Sequence, residues 1–574
     1  MHHDTYASYN RGNQPRILLS SVFGPYAQDD EYGSRKINPM ELYHNQVTRT
    51  QGPFSLRMFH RSWGIMLIQA NIQAPCALLD FPTLDRFIEE IKNNEYDIVG
   101  ISAIMPNLGK VREMCRLIRQ HLPKAIIVVG GHIANMTNIA QRIDADHIPR
   151  GDGVRWFREF LGEDTEQPIR HPHILSGINT RTMGLNVRRK KGEVAATLIP
   201  SVGCPMGCNF CATSAMFGGK GKFVNYYETG DELFHVMCGL EKEMEIRSFF
   251  VMDENFLLHR ARALRVLELM EQHQKSWSLY VFSSARVLLS YTIEQLVGLG
   301  ISWVWMGLEG KQSQYAKLSG VDTFDLVKHF HSHGIRILGS SIIGLEEHTP
   351  ENIHEAIDYA IAHDTDFHQF MLYTPIPGTP LHAELSKKGE LLPLGTFDEA
   401  DIHGQIRFNY KHPHIKNGEE GEFLVNAFQR DFEVNGPSVL RIARTTLEGW
   451  KRYKNHWNKR IRDRFAYEAR ELYVKYAGSL WAAEKWFKDN TKLLQRIKTV
   501  LNDIKTEFGL KAKLAAPLAG RIILSKIRKE NRLLKKGLTY EPPTYYEMNE
   551  LMMSILSGRG MIVKPAKWVN PLSA

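Results

Sequence analysis

Short apolar runs recur along this chain at intervals that few folds can accommodate. Arg16-Ile-Leu-Leu-Ser-Ser-Val22, Ile98-Val-Gly-Ile-Ser102 and Ile126-Ile-Val-Val129 are too short for helices and suit buried strands. Between them Leu84, Phe87, Ile88 and Ile91, and then Val111, Met114, Cys115, Ile118 and Leu122, return at helical spacing. A second block starts at Ala195-Ala-Thr-Leu-Ile-Pro200. It continues through Ser248–Met252, Ser278–Ser283, Ile301–Met306, Ile335–Ile343 and Phe367–Leu372, again with helical segments between. Alternation with short linkers implies parallel sheets covered on both faces. The second block makes six β/α units, a partial parallel barrel. Such sheets bind ligands at the carboxyl ends of their strands. Ser102, Gly130, Gly131 and Gly151 fall at those ends in the first block. Asp253, Glu254, Ser283, Arg286, Glu309 and Gly344 do so in the second. Taken singly, each acid or base suits a salt bridge or helix cap, and each glycine suits a turn. Their joint placement favours a site.

The first strand of the second block runs into Cys204-Pro-Met-Gly-Cys208-Asn-Phe-Cys211. A [4Fe–4S] cluster normally takes four cysteine thiolates, so three leave one iron open for chemistry. Zinc completed by distant ligands is the alternative, but a structural zinc site is closed by four ligands and no histidine completes a compact spacing here. Cys238 sits among Leu233, Phe234, Met237 and Leu240 and reads as core. The loop continues as Phe217-Gly-Gly-Lys-Gly-Lys222, which lacks the spacing of a nucleotide phosphate loop and stays unassigned.

The cysteine pattern resembles the radical S-adenosylmethionine (SAM) enzymes. That resemblance spans roughly residues 60–385 and implies that Cys204, Cys208 and Cys211 hold a [4Fe–4S] cluster. The open iron of such a cluster binds the amino and carboxylate groups of SAM, and reductive cleavage yields a 5′-deoxyadenosyl radical. The resemblance also implies SAM contacts from Phe210 near the adenine, Glu254 or Asp253 on the amino group, Ser283 and Arg286 on ribose or carboxylate, Glu309 in a Gly-x-Glu segment, and Gly344 near the adenine. It further implies an electron donor such as flavodoxin or ferredoxin.

Upstream, Val-Gly-Ile-Ser, Val-Val-Gly-Gly-His and Arg-Gly-Asp-Gly resemble the cobalamin-binding domain that precedes the radical domain in one large subgroup. Ser102, Gly130, Gly131 and Gly151 would then approach the corrin ring. The Asp-x-His-x-x-Gly motif that supplies an axial histidine elsewhere is absent, and Asp401-Ile-His403 does not replace it. His132 reads as a polar loop contact, not a metal ligand.

The region from Arg441 to Tyr540 is different in kind. It holds 26 Lys and Arg against 9 Asp and Glu, whereas the whole 574-residue chain carries only +9. Trp450, Trp457, Tyr473, Trp481 and Trp486 interleave with these cations. A membrane surface, a solvated basic helical cap and, less favoured, nucleic acid are the readings of that pattern. Six cysteines are no disulfide framework, Met1–Asn10 carries no apolar signal stretch, and no run is long enough to span a bilayer. These features point to the cytoplasm, with peripheral contact at the inner membrane surface through residues 441–540.

The expected architecture is α/β: a Rossmann-like cobalamin-binding-type domain over 1–165, a partial (β/α)6 radical SAM barrel over 190–385, and a basic, mainly helical extension over 386–574. The expected activity is cobalamin-dependent C-methylation of a lipid-like or other hydrophobic small molecule. Radical cyclisation or carbon–carbon coupling of a tetrapyrrole or lipid is the second reading. A non-catalytic cobalamin or cluster sensor is the third.

Overall fold

The computed structural model describes residues 9, 14–25, 30–32, 52–54, 60–176, 181–182, 185–186, 194–254, 256–309, 321–536 and 543–558. Met1–Ser8 and Asn10, part of the stretch read as lacking a signal, lie outside the described residues.

Two sheets organise the chain. In the first, β1 (Ile17–Ser21), β2 (Cys76–Asp80), β3 (Ile98–Ser102) and β4 (Ile126–Gly130) run parallel in the order β2-β1-β3-β4. Their side chains are buried on both faces, as a doubly covered parallel sheet requires. Helices Trp63–Ala70 and Gly153–Leu161 pack with one face and Leu84–Asn93 and Leu108–His121 with the other. Asp152 of the Arg-Gly-Asp-Gly motif caps Gly153–Leu161, its Oδ1 accepting from the Val154 and Arg155 amides. Such a cap is worth about 1 kcal/mol.

The second sheet runs β5 (Leu175–Ser176), β6 (Ala195–Leu198), β7 (Ser248–Val251), β8 (Ser278–Ser283), β9 (Ile301–Gly307), β10 (Arg336–Ile343) and β11 (Phe367–Leu372), in that order. The six strands β6–β11 are parallel, and β5 is an antiparallel edge. Strand alternation divides the side chains. Phe249, Val251, Leu279, Val281, Val304 and Met306 pack outward under the helices that carry Leu233, Met237, Val266 and Met270. Phe250, Tyr280, Trp303 and Leu338 point the other way and make an aromatic interior, with Phe250 and Tyr280 rings 4.8 Å apart and Phe282 stacked 5.0 Å from Trp305.

The C-terminal region is helical, with two features that helical patterning did not forecast. First, β12 (Tyr545–Met548) pairs antiparallel with β2, so the end of the described chain completes the first sheet. Second, much of the basic, aromatic character expected to face a membrane or nucleic acid is internal. Trp450, Tyr473, Trp481, Trp486 and Phe487 pack against the core, and Arg441, fully buried, pairs with Asp431 at 2.6 Å. The helix Lys459–Ala469 closes the amino-terminal end of the barrel. There Glu468 accepts from Ser278 Oγ, Arg464 and Arg336, and Arg464 also donates to the Ile301 carbonyl. Although burial alone would raise it, these two guanidinium groups hold the Glu468 carboxyl below the usual carboxylate range. Among the described residues no helix is long and apolar enough to cross a membrane.

Candidate active site

The cysteine loop leaves the carboxyl end of β6 and is locked by its own continuation. Ser214 Oγ donates to the Cys204 carbonyl at 2.7 Å, and the Cys211 amide donates to the Cys208 carbonyl at 3.1 Å. The Gly221 amide reaches back to the Pro205 carbonyl at 2.8 Å. Gly207 has φ +67°, and a Cβ there would sit 2.5 Å from Lys220 Cβ, so only glycine suits this crossing. The unassigned Phe217–Lys222 stretch is thus a buttress under the cysteine loop, and Phe217 covers Gly203. Its glycines were the available signal, but their role depends on a crossing partner that sequence does not display.

Cys204, Cys208 and Cys211 are half-buried. Burial pushes the Cys204 thiol up to about 12, with further contributions from Glu254, Cys211 and Cys208; Cys211 is raised for the same reasons. No cation among the described residues lowers them, so these thiols become thiolates when metal binds them. Among the described residues no three His, Cys, Asp or Glu side chains converge as they would around one ion. Three thiols on one loop suit a cluster that leaves one iron open.

The two acids after β7 have separate fates. Asp253 is fully buried and bound to Arg262 at 2.7 Å, an internal ion pair. Glu254 stands beside the cysteines, and burial together with the Asp253 charge raises its carboxyl to about 7. A half-buried carboxyl with no cation among the described residues is the acceptor that an ammonium group would complete. Ser283 follows, its Oγ without a partner among the described residues, and Glu309 is buried at the end of β9. Phe210 sets its ring edge-on to Tyr373 at 6.1 Å. Arg286 lies on the short helix Ala285–Leu288 that follows β8. It is exposed and borders a groove of about 360 Å³ with Met206, Leu258 and Arg260. Gly344 is covered, since the Phe408 ring fills the space a side chain there would need. His403 and His412 accept backbone amides of their own segment through Nδ1.

At the first sheet, Ser102 and Gly130 pair in register at the ends of β3 and β4. A Cβ on Gly130 would meet nothing within 4 Å, an open cradle at a strand end. Gly131 turns the chain at φ +84°, where a Cβ would strike the Ala103 carbonyl at 2.6 Å. Beyond it, His132 Nδ1 and Asn135 Nδ2 are buried with no partner among the described residues, as polar groups that would bind a ligand are. An open cradle beside orphaned polar atoms fits a large planar cofactor.

The two sites face each other. The turn His132–Asn135 packs against the helix Ala212–Met216 that follows Cys211. Gly151 lies over the Met216 carbonyl, and Gly378 of the Pro-Gly-Thr segment abuts Asn135. The Leu381 amide donates to the Asn209 carbonyl inside the cysteine loop, and Arg142 pairs with Glu399 across the same junction.

Residues 57–161 match the B12 binding domain model, and residues 198–360 match the Radical SAM superfamily model. This chain carries a B12-binding domain followed by a radical SAM domain. An uncharacterized methyltransferase of Pyrococcus horikoshii is 24% identical over 329 residues, covering 51% of this chain and 70% of that one. The bacteriochlorophyllide d C-8(2)-methyltransferase of Chlorobaculum tepidum is 22% identical over 359 residues, covering 58% and 77%. The structure of the radical SAM methyltransferase TsrM from Kitasatospora setae, with cobalamin and a [4Fe–4S] cluster bound, shares the fold at a TM-score of 0.50. That match has 16% identity and covers 80% of this chain and 99% of that one. The domains present are those that hold a [4Fe–4S] cluster, SAM and cobalamin.

Proposed function

We propose that this chain is a cobalamin-dependent radical SAM methyltransferase acting on an unactivated carbon of a hydrophobic small molecule. The observation that carries the reading is the junction at which the open cradle of the first sheet meets the cysteine loop of the barrel. When bound, the cluster with SAM supplies a hydrogen-abstracting radical and cobalamin supplies the methyl group. By balance, one SAM would be reduced to methionine and 5′-deoxyadenosine carrying the C–H hydrogen, a second SAM would restore the methyl group and leave as S-adenosylhomocysteine, and an external one-electron donor such as flavodoxin or ferredoxin would supply one electron for each.

The chain's own residues bind, orient and exclude water. Cys204, Cys208 and Cys211 hold the cluster, and Glu254 takes the SAM ammonium while Asp253 keeps Arg262 neutralised. Ser283 and Glu309 complete the polar rim, and Phe210 on Tyr373 flanks it. Ser102, Gly130, Gly131 and Gly151 leave the backbone bare for the corrin. The substrate class follows from the barrel interior. Met252, Phe282, Trp305 and Ile342, on the interior face of their strands, are half-exposed at the mouth. Below them the buried Tyr280 hydroxyl and Gln369 Oε1 have no partner among the described residues. A mouth lined by aromatic and aliphatic side chains suits a tetrapyrrole or lipid, and the Chlorobaculum tepidum relative is named for a bacteriochlorophyllide. Contact of residues 441–540 with a membrane surface, where such substrates partition, belongs to the same reading.

The test is anaerobic reconstitution with cluster and cobalamin, a reductant, methyl-deuterated SAM and a chlorophyllide or hopanoid probe. The expected result is 5′-deoxyadenosine, S-adenosylhomocysteine and a probe carrying one deuterated methyl group, all dependent on corrinoid. Turnover of SAM to 5′-deoxyadenosine by protein that neither binds nor needs corrinoid would overturn methyl transfer.

A further inference from the structure

The helix Thr491–Lys535 breaks at Gly509, whose φ of 57° and ψ of −135° are not helical. Residues 510–535 therefore run as a separate helix. One side is packed. Ala512, Ala516 and Gly520 are buried, and a Cβ on Gly520 would lie 2.4 Å from the Trp481 ring. The opposite side carries Leu510, Leu514, Leu518 and Ile522, exposed to 70, 58, 62 and 64%. Residues four apart share one stripe of a helix, and an offset of two from the buried set puts this stripe on the far face. Isolated exposed aliphatics are ordinary, but a contiguous row on one face marks an interaction surface.

Charge selects the partner. Lys511, Lys513 and Arg521 are exposed around the stripe. From 510 to 535 the chain has eight Lys and Arg and one acid, Glu530, which is buried. Two copies of this face would repel each other, whereas an anionic surface would neutralise it.

We propose that residues 510–535 form an in-plane anchor, with the stripe entering the apolar edge of an anionic bilayer and the flanking cations on lipid headgroups. The inference rests on the proposed membrane contact of residues 441–540 and narrows it to one helix face. It leaves the aromatic residues of that region, most of them internal, out of the contact.

The test is flotation of the full-length protein with phosphatidylcholine vesicles containing phosphatidylglycerol, beside vesicles of phosphatidylcholine alone. Wild type should float with the anionic vesicles only, less so as salt rises. The double variant L514D/L518D should bind at least about tenfold more weakly. Its circular dichroism and cluster absorbance should stay unchanged, because both side chains face solvent. Trp457→Ala, which removes an 84% exposed aromatic outside the stripe, should bind as wild type. Failure of wild type to bind anionic vesicles overturns the membrane contact itself. Binding that survives L514D/L518D overturns only the stripe. Equal binding to neutral vesicles overturns the role of charge. A concentration-dependent dimer that the double variant dissolves, without vesicle binding, assigns the face to a second copy.

Discussion

The carboxyl ends of the two sheets do opposite things with the same topology. The first sheet ends in Ser102, Gly130 and Gly131, where backbone is bare and a Cβ on Gly130 would meet open space. The barrel ends in thiols, carboxylates and aromatic rings held in place by a buttressed loop and a buried ion pair. A broad rigid cofactor is accommodated by leaving atoms out, whereas a cluster and a charged nucleoside are held by putting donors in. Mutations at the two ends should therefore fail in opposite ways.

The largest effect is expected from Cys208→Ala, which should abolish the cluster absorbance and 5′-deoxyadenosine formation while corrinoid still binds. Retention of both would break the assignment of the barrel end. Gly130→Leu should do the converse. A Cβ at this position meets no atom within 4 Å, so the substitution starts without a backbone clash and the rest of the leucine extends into the cradle. Corrinoid binding, read from the visible spectrum, should fall by more than about tenfold, with the cluster intact. Unchanged corrinoid affinity would remove the first sheet from the site.

A finer contrast lies between the neighbouring acids. Asp253→Asn weakens a buried ion pair around Arg262 and should destabilise the fold by about 3 kcal/mol, read as a lower thermal midpoint. Glu254→Gln should leave that midpoint nearly unchanged and weaken SAM binding about tenfold, the worth of a charge-assisted hydrogen bond. If the two substitutions exchanged phenotypes, the division between structural and binding acid would be wrong.

The smallest effect concerns acid stability. Glu468 titrates below its unfolded value, so its contribution is present above the unfolded carboxylate pKa near 4.3 and is lost as pH falls through the lower folded value. Glu468→Gln should therefore flatten the loss of stability below about pH 4.3. A wild-type acid limb in that variant would show that the amino-terminal plug of the barrel does not depend on this charge.

Strand ends were legible because their signal is local: an apolar run followed at once by Val-Gly-Ile-Ser or the cysteine loop places a residue without knowledge of its neighbours. The pairing of β12 with β2 was not, since Tyr545–Met548 is a short run of mixed polarity whose partner lies hundreds of residues away. Nor was the division between Asp253 and Glu254, which depends on Arg262 reaching back from the next helix. Helical periodicity placed the aromatics of residues 441–540 on helices but could not say which side another helix covers. Trp481 is packed by Gly520, while Leu510 and Ile522, less conspicuous in sequence, face solvent.

The central claim is that the cradle and the cysteine loop open onto one junction, and electron paramagnetic resonance of the protein loaded with cob(II)alamin and reduced cluster tests it most directly. The expected result is a cob(II)alamin signal broadened and fast-relaxing when the cluster is reduced, and sharp again in Cys208→Ala. A cob(II)alamin signal indifferent to the cluster's redox state would contradict the account.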